Sequence, residues 1–302
     1  HILGLDIYEN TAVSGGGVFL NSHSNAQIVD LNLHNNHAQN GGGLNIDYSN
    51  PTITNMIAYE NTANQGGALY IQFISSAIFT DALIYNNIAT SFGGGMYVRQ
   101  SAPEFIRAIF ADNDAGIRGG AIHMFLDGSP RFTSSAFHGN SAPNGGIAYA
   151  ENNDYPSFTN VTATLNRSVN GTDGLYIEGG NTSITQSNIK NNGFFLFSVN
   201  NLFIAQASNN YWGSASGPSH PTQNLAGIGD STNQWVNITP WLTAPNIDAP
   251  PIPAQDMAVT GTGNDFVDIE WASSPLGDFA GFKLYFDTDK SGYPYENNID
   301  LG

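Results

Sequence analysis

The stretch NTANQGGALYI, residues 61–71, decides the fold, because its pattern returns about every 26 residues. An asparagine is followed five or six residues later by glycines, and then by a short run with apolar outer members. The aligned asparagines stand 25 to 27 residues apart, at Asn10, Asn36, Asn61, Asn87, Asn113, Asn140, Asn166 and Asn192. Eight registered copies indicate an internal repeat.

Each repeat carries the signature of a short strand. The run after the glycines has apolar outer members and a variable middle member, as in Leu69–Ile71 and Met96–Val98. This alternation has the period of a β-strand, and no interval between glycine clusters fits a helix with its caps. One coil alone cannot bury its apolar face, so coils must stack and share a core. We therefore predict an all-β fold, a right-handed parallel β-helix with about 26 residues per coil.

The recurring asparagines and glycines are expected at the corners of the coils. Asparagine tolerates left-handed backbone and hydrogen-bonds locally, and amides stacked in register can form a ladder. Glycine pairs allow a bend at which a Cβ atom would clash. The sequence therefore predicts that these positions align along the axis of the solenoid.

The repeat resembles a known family. Elements such as IYEN (7–10) and FADN (110–113), paired with GGAL (66–69) or GGAI (119–122), resemble the polymorphic outer membrane protein repeats of chlamydial surface proteins. The resemblance covers about residues 1–192. It implies a β-helix at a cell surface, frequently an adhesin or passenger, without a defined active site.

The pattern changes after the last repeat. We expect the β-helix over 1–212, a C-terminal cap over 213–245 and a proline-rich linker over 246–254. The segment NNYWG, followed by GPSHPT and PWL, resembles the terminations of bacterial right-handed β-helix proteins. The alternative interpretation is that three tryptophans of this region form a sugar-binding cleft: Trp212, Trp235 and Trp241. Residues 255–302 resemble the first part of a fibronectin type III domain with Trp271 in its core, hence an incomplete β-sandwich.

Composition excludes several classes of function. The chain has 25 acidic and 8 basic residues and a formal charge of -17, which disfavours nucleic acid. It has no cysteine, so disulfides and thiolate metal sites are excluded. No apolar stretch approaches the roughly 18 to 20 residues of a membrane span. The opening HILGLDIYEN lacks the pattern of a signal peptide and looks like the middle of a repeat, as expected of a processed chain or a piece of a longer one.

The middle residues of the post-glycine strands are the candidate ligand-binding stripe. With apolar neighbours directed inward, they are expected to point outward in one column: Phe19, Asn45, Tyr70, Tyr97, His123, Tyr149 and Tyr176. Aromatic rings edged by acids and an arginine suit a carbohydrate, so we predict ligand binding by Tyr70, Tyr97, Arg99, His123, Tyr149, Glu151, Tyr176 and Glu178. The alternative is an aromatic ladder that only stabilises the coils.

Catalysis on the same face is the rival interpretation. Tyr97, Arg99, His123 and Tyr149 would meet the minimal needs of a polysaccharide lyase, which requires a base and a cation. Glu151 and Glu178, one coil apart, would be a carboxylate pair for glycoside hydrolysis. The constant coil length provides no loops to wall a groove.

Metal and partner signals are weak. The sequence contains no metal-ligand motif, so no cofactor is expected. Calcium bound at an acidic corner is the one cofactor that the sequence allows. A second outward column, which fades along the rod, is read as a solvated ladder or a partner-binding patch: Tyr8, His34, Tyr59, Tyr85, Ala111, His138, Thr164 and Lys190.

The sequence favours an exported bacterial β-helix that acts as a structural or adhesive module, extracellular or at the cell surface. Its expected partners are a polysaccharide or a surface protein, with assembly into a larger surface structure as a further hypothesis. Nucleic-acid binding and a membrane-spanning segment are not expected. The alternative is a polysaccharide lyase or glycoside hydrolase that acts on an extracellular polysaccharide.

Overall fold

The computed structural model describes residues 2–151, 153–178, 181–198, 204–251, 255–263, 267–272, 283–286 and 297–300. The chain forms two compact units, His1–Pro250 and Pro251–Gly302. Within the described residues every regular element is a strand, as the repeat predicts. No described helix is long and apolar enough to cross a bilayer.

Wall 1 of the first unit is a sheet of fifteen strands that pair in parallel from coil to coil. Its first three strands are seven or eight residues long. In later coils the strand is divided in two around a left-handed residue such as Asp81, whose φ is 55°. The strands are Ile2–Tyr8, Gln27–His34, Thr52–Tyr59, Ile78–Thr80, Leu83–Tyr85, Glu104–Ile106, Ile109–Ala111, Arg131–Thr133, Ala136–His138, Ser157–Thr159, Thr162–Thr164, Ser183–Thr185, Asn188–Lys190, Ala205–Gln206 and Val236–Asn237.

Walls 2 and 3 complete each coil. Wall 2 has six short strands: His37–Asn40, Thr62–Gln65, Ile88–Phe92, Asp114–Ala115, Ser141–Ala142 and Arg167–Ser168. Wall 3 follows the glycines and has ten strands: Val18–Leu20, Leu44–Asp47, Leu69–Gln72, Met96–Arg99, Ile122–Phe125, Ala148–Ala150, Leu175–Ile177, Phe194–Ser198, Pro218–Ser219 and Gly229–Thr232. The candidate residues of the stripe therefore lie on wall 3.

The core is a column of apolar side chains shared by successive coils. Phe79, Phe105, Phe132 and Phe158 stack in line, with ring centroids 4.5, 5.2 and 5.1 Å apart. All four are fully buried. Aromatic pairs of this kind add about 0.5–1.5 kcal/mol each beyond the burial of their area. Stacking thus binds each coil to the next, as expected of a solenoid.

The eight asparagines form one continuous ladder, which confirms the predicted register. Each Nδ2 donates to the Oδ1 of the next asparagine, as from Asn61 to Asn87 at 3.0 Å. The same Oδ1 accepts the backbone N–H of Asn61, also at 3.0 Å. The ladder ends at Asp230, whose carboxylate accepts from the backbone and side chain of Asn192 at 2.9 Å. A carboxylate suits this end because it accepts without needing a further acceptor of its own.

The left-handed backbone is not at the ladder asparagines, and this part of the prediction is wrong. Positive φ belongs to the preceding residue, for example 52° at Glu60 and 53° at Asn86. The ladder asparagines instead face the interior, where Asn61 and Asn87 are fully buried. Burial leaves their amides no water, so the coil-to-coil hydrogen bonds are obligatory.

The glycine pairs have two separate reasons to be glycine. The first of each pair is left-handed, with φ of 65° at Gly66 and 66° at Gly93. The second lies against the backbone of the next coil, so that a Cβ on Gly67 would collide with the carbonyl oxygen of Gly94. Both results confirm the predicted bend in which a Cβ would clash.

The end of the rod is covered by bulky side chains. Trp212 is fully buried and meets Phe195 edge-on at 5.9 Å, so this tryptophan does not line an open sugar-binding cleft. The start of the predicted linker is packed on the rod, because Asn246 donates from its backbone to Asn188 Oδ1 at 2.7 Å and from its side chain to the Gln186 carbonyl at 2.6 Å. The first compact unit accordingly extends to Pro250.

The second unit contains two antiparallel pairs of strands. Gln255–Thr262 pairs with Val267–Ala272, and Lys283–Phe286 pairs with Asn297–Asp300. Residues 273–282, which carry part of the fibronectin-like pattern, lie outside the described residues. The resemblance to a fibronectin type III domain stays a prediction.

Candidate functional site

The predicted stripe on wall 3 forms a continuous stack of rings, here called the wall-3 ladder. Its members are Tyr70, Tyr97, His123, Tyr149 and Tyr176, with successive centroids 4.9, 5.2, 5.8 and 4.6 Å apart. The strand neighbours of these residues, such as Leu69 and Ile71, belong to the apolar core. The ladder therefore stands on the outer face of wall 3, in the register that the sequence predicts.

The ladder is covered, however, and the expectation of an open aromatic stripe is wrong for its middle members. Tyr70, Tyr97, His123 and Tyr149 are each at most 5% exposed. Residues that precede the glycines fold back over the rings: Phe92 stacks on His123 at 4.8 Å, and the Arg118 guanidinium lies 4.5 Å from the centre of the Tyr149 ring. These ring faces are occupied by protein groups and are closed to a sugar.

An ion-pair cluster adjoins the ladder. Arg118 and His123 both contact Glu151 Oε1, the first through Nη1 and the second from Nε2 at 3.1 Å. One coil on, the Tyr149 hydroxyl donates to Glu178 at 2.7 Å. Sequence reasoning selected His123, Tyr149, Glu151 and Glu178 but missed Arg118. The signal for Arg118 was its place directly before Gly119, in the column that includes Phe92.

The charges of this cluster are matched internally. Burial alone would raise the pKa of Glu151, but His123 and Arg118 outweigh it and hold that pKa below its ordinary value. Burial lowers the pKa of His123, which keeps the imidazole neutral with Nε2–H as the donor to Glu151. The cluster is thus a carboxylate held by one permanent cation and one neutral donor.

The tyrosines proposed as catalytic bases are poorly suited to that role. A tyrosine must lose its proton before it can accept one from a substrate. Burial raises the pKa of Tyr97 and of Tyr149 far above the ordinary value, and the hydrogen bond to Glu178 raises that of Tyr149 further. Both hydroxyls therefore remain protonated at neutral pH.

Arg99 adjoins the wall-3 ladder at Tyr70. Burial raises the pKa of the Tyr70 hydroxyl, and Arg99 opposes that rise through its charge and a side-chain hydrogen bond. Its guanidinium lies between the rings of Phe73, at 5.4 Å, and Phe125, at 5.9 Å. Tyr48 stacks on the opposite side of Phe73 at 5.0 Å. Arg99 therefore takes part in both features, because it stands in the corner stack while its charge acts on the hydroxyls of Tyr70 and Tyr97.

The second predicted column forms an outer stack on wall 1. Tyr8, His34, Tyr59 and Tyr85 are 4.8, 4.8 and 5.1 Å apart, and the interplanar angles are 9° to 11°. Tyr8 is half-exposed, and His34 Nε2 approaches Asp6 at 3.2 Å. These four members stack as predicted, but Ala111, His138 and Thr164 are buried, so the expectation of a solvated column is wrong for them. The role of the column as a partner-binding patch stays a prediction.

Metal binding gains no support from side-chain geometry. Within the described ranges, no group of three or more His, Asp or Glu side chains is arranged to hold a metal ion. The buried carboxyl group of Asp154 accepts the backbone N–H groups of Gly128 at 2.6 Å and of Glu151 at 2.7 Å. It closes a turn. Calcium at an acidic corner stays a prediction.

Comparison with known proteins identifies one family. A family model described as a right-handed β-helix region matches residues 1–163, which is more than half of the 302-residue chain. No curated protein and no solved structure matches the chain. The match agrees with the predicted right-handed parallel solenoid. The resemblance to chlamydial polymorphic outer membrane protein repeats stays a prediction.

Proposed function

Because this chain belongs to the right-handed β-helix family, we propose that it is a rigid exported module that binds a polysaccharide at a bacterial surface without turning it over. The proposal depends on one observation. The polar groups that a polysaccharide-active enzyme would use are hydrogen-bonded or ion-paired to one another. Export and a place at the cell surface rest on the resemblance of the repeat, and binding rests on the aromatic and polar residues that remain accessible.

The mutual engagement of wall-3 groups argues against the lyase alternative. A general base must come within hydrogen-bond reach of the proton it removes. His123 Nε2 is engaged with Glu151, and the Tyr149 hydroxyl with Glu178. Freeing His123 would remove one of two cationic or hydrogen-bonding partners of the partly buried Glu151, and freeing Tyr149 would remove the hydroxyl donor of the exposed Glu178. The same contacts support a role for this face in joining coils.

The experiment measures binding and turnover in the same samples. The chain is incubated with a panel of neutral and acidic polysaccharides, and both co-sedimentation and the release of reducing or unsaturated ends are followed. We expect retention on at least one polysaccharide without released ends, and heat-unfolded chain provides the matched control. Release that depends on folded protein would instead favour a lyase or hydrolase, and retention on none would contradict the proposal.

A further inference from the structure

The corner around Arg99 combines an unneutralised cation with accessible apolar surface. We define the Arg99 corner by the residues Asp47, Tyr48, Gln72, Phe73, Ile74, Arg99 and Phe125. Asp47, Gln72 and Arg99 are aligned on three successive strands of wall 3. Tyr48, Phe73 and Ile74 follow in the turn beyond those strands.

The charge of Arg99 is not matched by a carboxylate. In the described part of the chain, Arg107 pairs with Asp81 and Arg118 with Glu151, whereas Arg99 forms no ion pair. Asp47, two strands away in the same column, accepts instead from Gln72 Nε2 at 3.4 Å. Arg131 and Arg167 likewise form no ion pair within the described residues, but both are exposed to solvent, whereas Arg99 is half-buried and lies near two aromatic rings. An anionic ligand would complete it.

The guanidinium is held ready for an in-plane partner. Its central carbon lies 5.4 Å from the centre of the Phe73 ring and 5.9 Å from that of Phe125, and one side-chain hydrogen bond joins the guanidinium to the Tyr70 hydroxyl. Arg99 Nε and Asp47 Oδ1 are buried polar atoms without a hydrogen-bond partner. Such fixed donors suit a carboxylate, which guanidinium binds through two parallel hydrogen bonds.

Backbone strain at Ile74 is an independent sign of function. Phe73 and Ile74 have φ of 55° and 59°, and a β-branched residue is a true outlier in this region. The two coils with the same double turn carry Ser22–His23 and Leu126–Asp127, where the second residue is not β-branched. Ile74 is also 79% exposed, so no core contact compensates for the strain. Strain of this kind clusters at ligand-binding sites.

We propose that the Arg99 corner binds the end of a glycan that carries a single carboxylate, such as a terminal uronic acid. The carboxylate pairs with Arg99, the sugar hydroxyls bond Asp47 and Gln72, and the apolar face of the sugar lies on Ile74 and Tyr48. The assignment rests on the proposed polysaccharide-binding function and names its ligand class. A single anionic group fits the one arginine of this corner, whereas a polyanion would be repelled by the formal charge of -17.

The test titrates the full chain with a disaccharide that ends in glucuronic acid and with its glucose-terminated counterpart of the same linkage. We expect at least a tenfold preference for the acidic sugar, because charge-assisted bidentate pairs are about twice as strong as neutral ones. Arg99→Gln should reduce the affinity to that of the neutral sugar, and Arg99→Lys should fall between. Arg131→Gln, which removes an exposed arginine from wall 1, is the matched control and should bind as the unaltered chain does.

The outcomes separate the site from the function. Equal affinity for both sugars, or undiminished binding by a folded Arg99→Gln variant, would overturn the site. So would equal binding of an acidic peptide, since the sugar-specific contacts would then be irrelevant. Binding of other polysaccharides with none of the acidic disaccharide overturns this site alone, whereas failure across the whole panel overturns the proposed function too. Thermal unfolding of each variant verifies that it is folded. Ile74→Asn, which removes the β-branch, is a second test variant and should weaken binding while it raises stability.

Discussion

Truncation of Asn87 to alanine tests the asparagine ladder at its centre. The Nδ2 group of Asn87 donates to the carbonyls of Ala58 and Tyr85 at 2.9 Å and to Asn113 Oδ1 at 3.0 Å. Its Oδ1 accepts both the backbone N–H and the Nδ2 of Asn61 at 3.0 Å. Alanine removes all five bonds and leaves the Asn61 N–H buried without a partner.

The expected loss follows from the groups left unpaired. Each buried donor or acceptor without a partner costs about 1–3 kcal/mol, and at least two are created, so unfolding should become easier by about 3–5 kcal/mol. Urea unfolding followed by far-ultraviolet circular dichroism measures the change. Asn64→Ala is the control, because its exposed amide bonds only Thr90 and Ser91 side chains and its loss should cost under about 1 kcal/mol. Equal losses in both variants would refute the ladder as the element that joins coils.

Two further predictions concern the corners. Gly67→Ala places a Cβ against the Gly94 carbonyl oxygen, which belongs to backbone and cannot turn aside, so the thermal midpoint should fall by several degrees; an unchanged midpoint would mean that the coils can separate without cost. Burial raises the pKa of Asp154 from its ordinary value to about 8, even though two backbone N–H groups oppose the rise. A raised carboxyl pKa stabilises the fold at low pH and ceases to do so as pH rises through the folded pKa, so the free energy of unfolding should fall by about 2–3 kcal/mol between pH 6 and 9. Asp154→Asn should flatten that slope, and an equal slope in both proteins would show that Asp154 is not responsible.

The sequence predicted the architecture because its decisive features are local and repeated. The asparagine interval fixes which residues meet in adjacent coils, and Gly66 and Gly67 permit only one course of the backbone between them. The stacked register of Tyr70 and Tyr97 follows from that interval without further information. Periodicity alone was therefore sufficient to place the candidate stripe on one wall.

The accessibility of the stripe could not be predicted in the same way. Whether Phe92 and Arg118 extend away from the rod or fold back over His123 and Tyr149 depends on side-chain packing across the corner. The alternation of residues along a strand indicates which side chains face the core and which face outward. It does not indicate whether a neighbouring column of residues covers the outward face.

The central claim, that the wall-3 ladder joins coils and does not perform chemistry, is tested most directly by His123→Ala. This imidazole stacks with Tyr97 at 5.2 Å and Phe92 at 4.8 Å, and it donates to Glu151. Its loss should lower the free energy of unfolding by about 2–4 kcal/mol, as for other large-to-small substitutions in a packed site. Polysaccharide binding by the folded variant should be unchanged. A variant with unaltered stability that abolishes a measurable release of sugars would contradict the account.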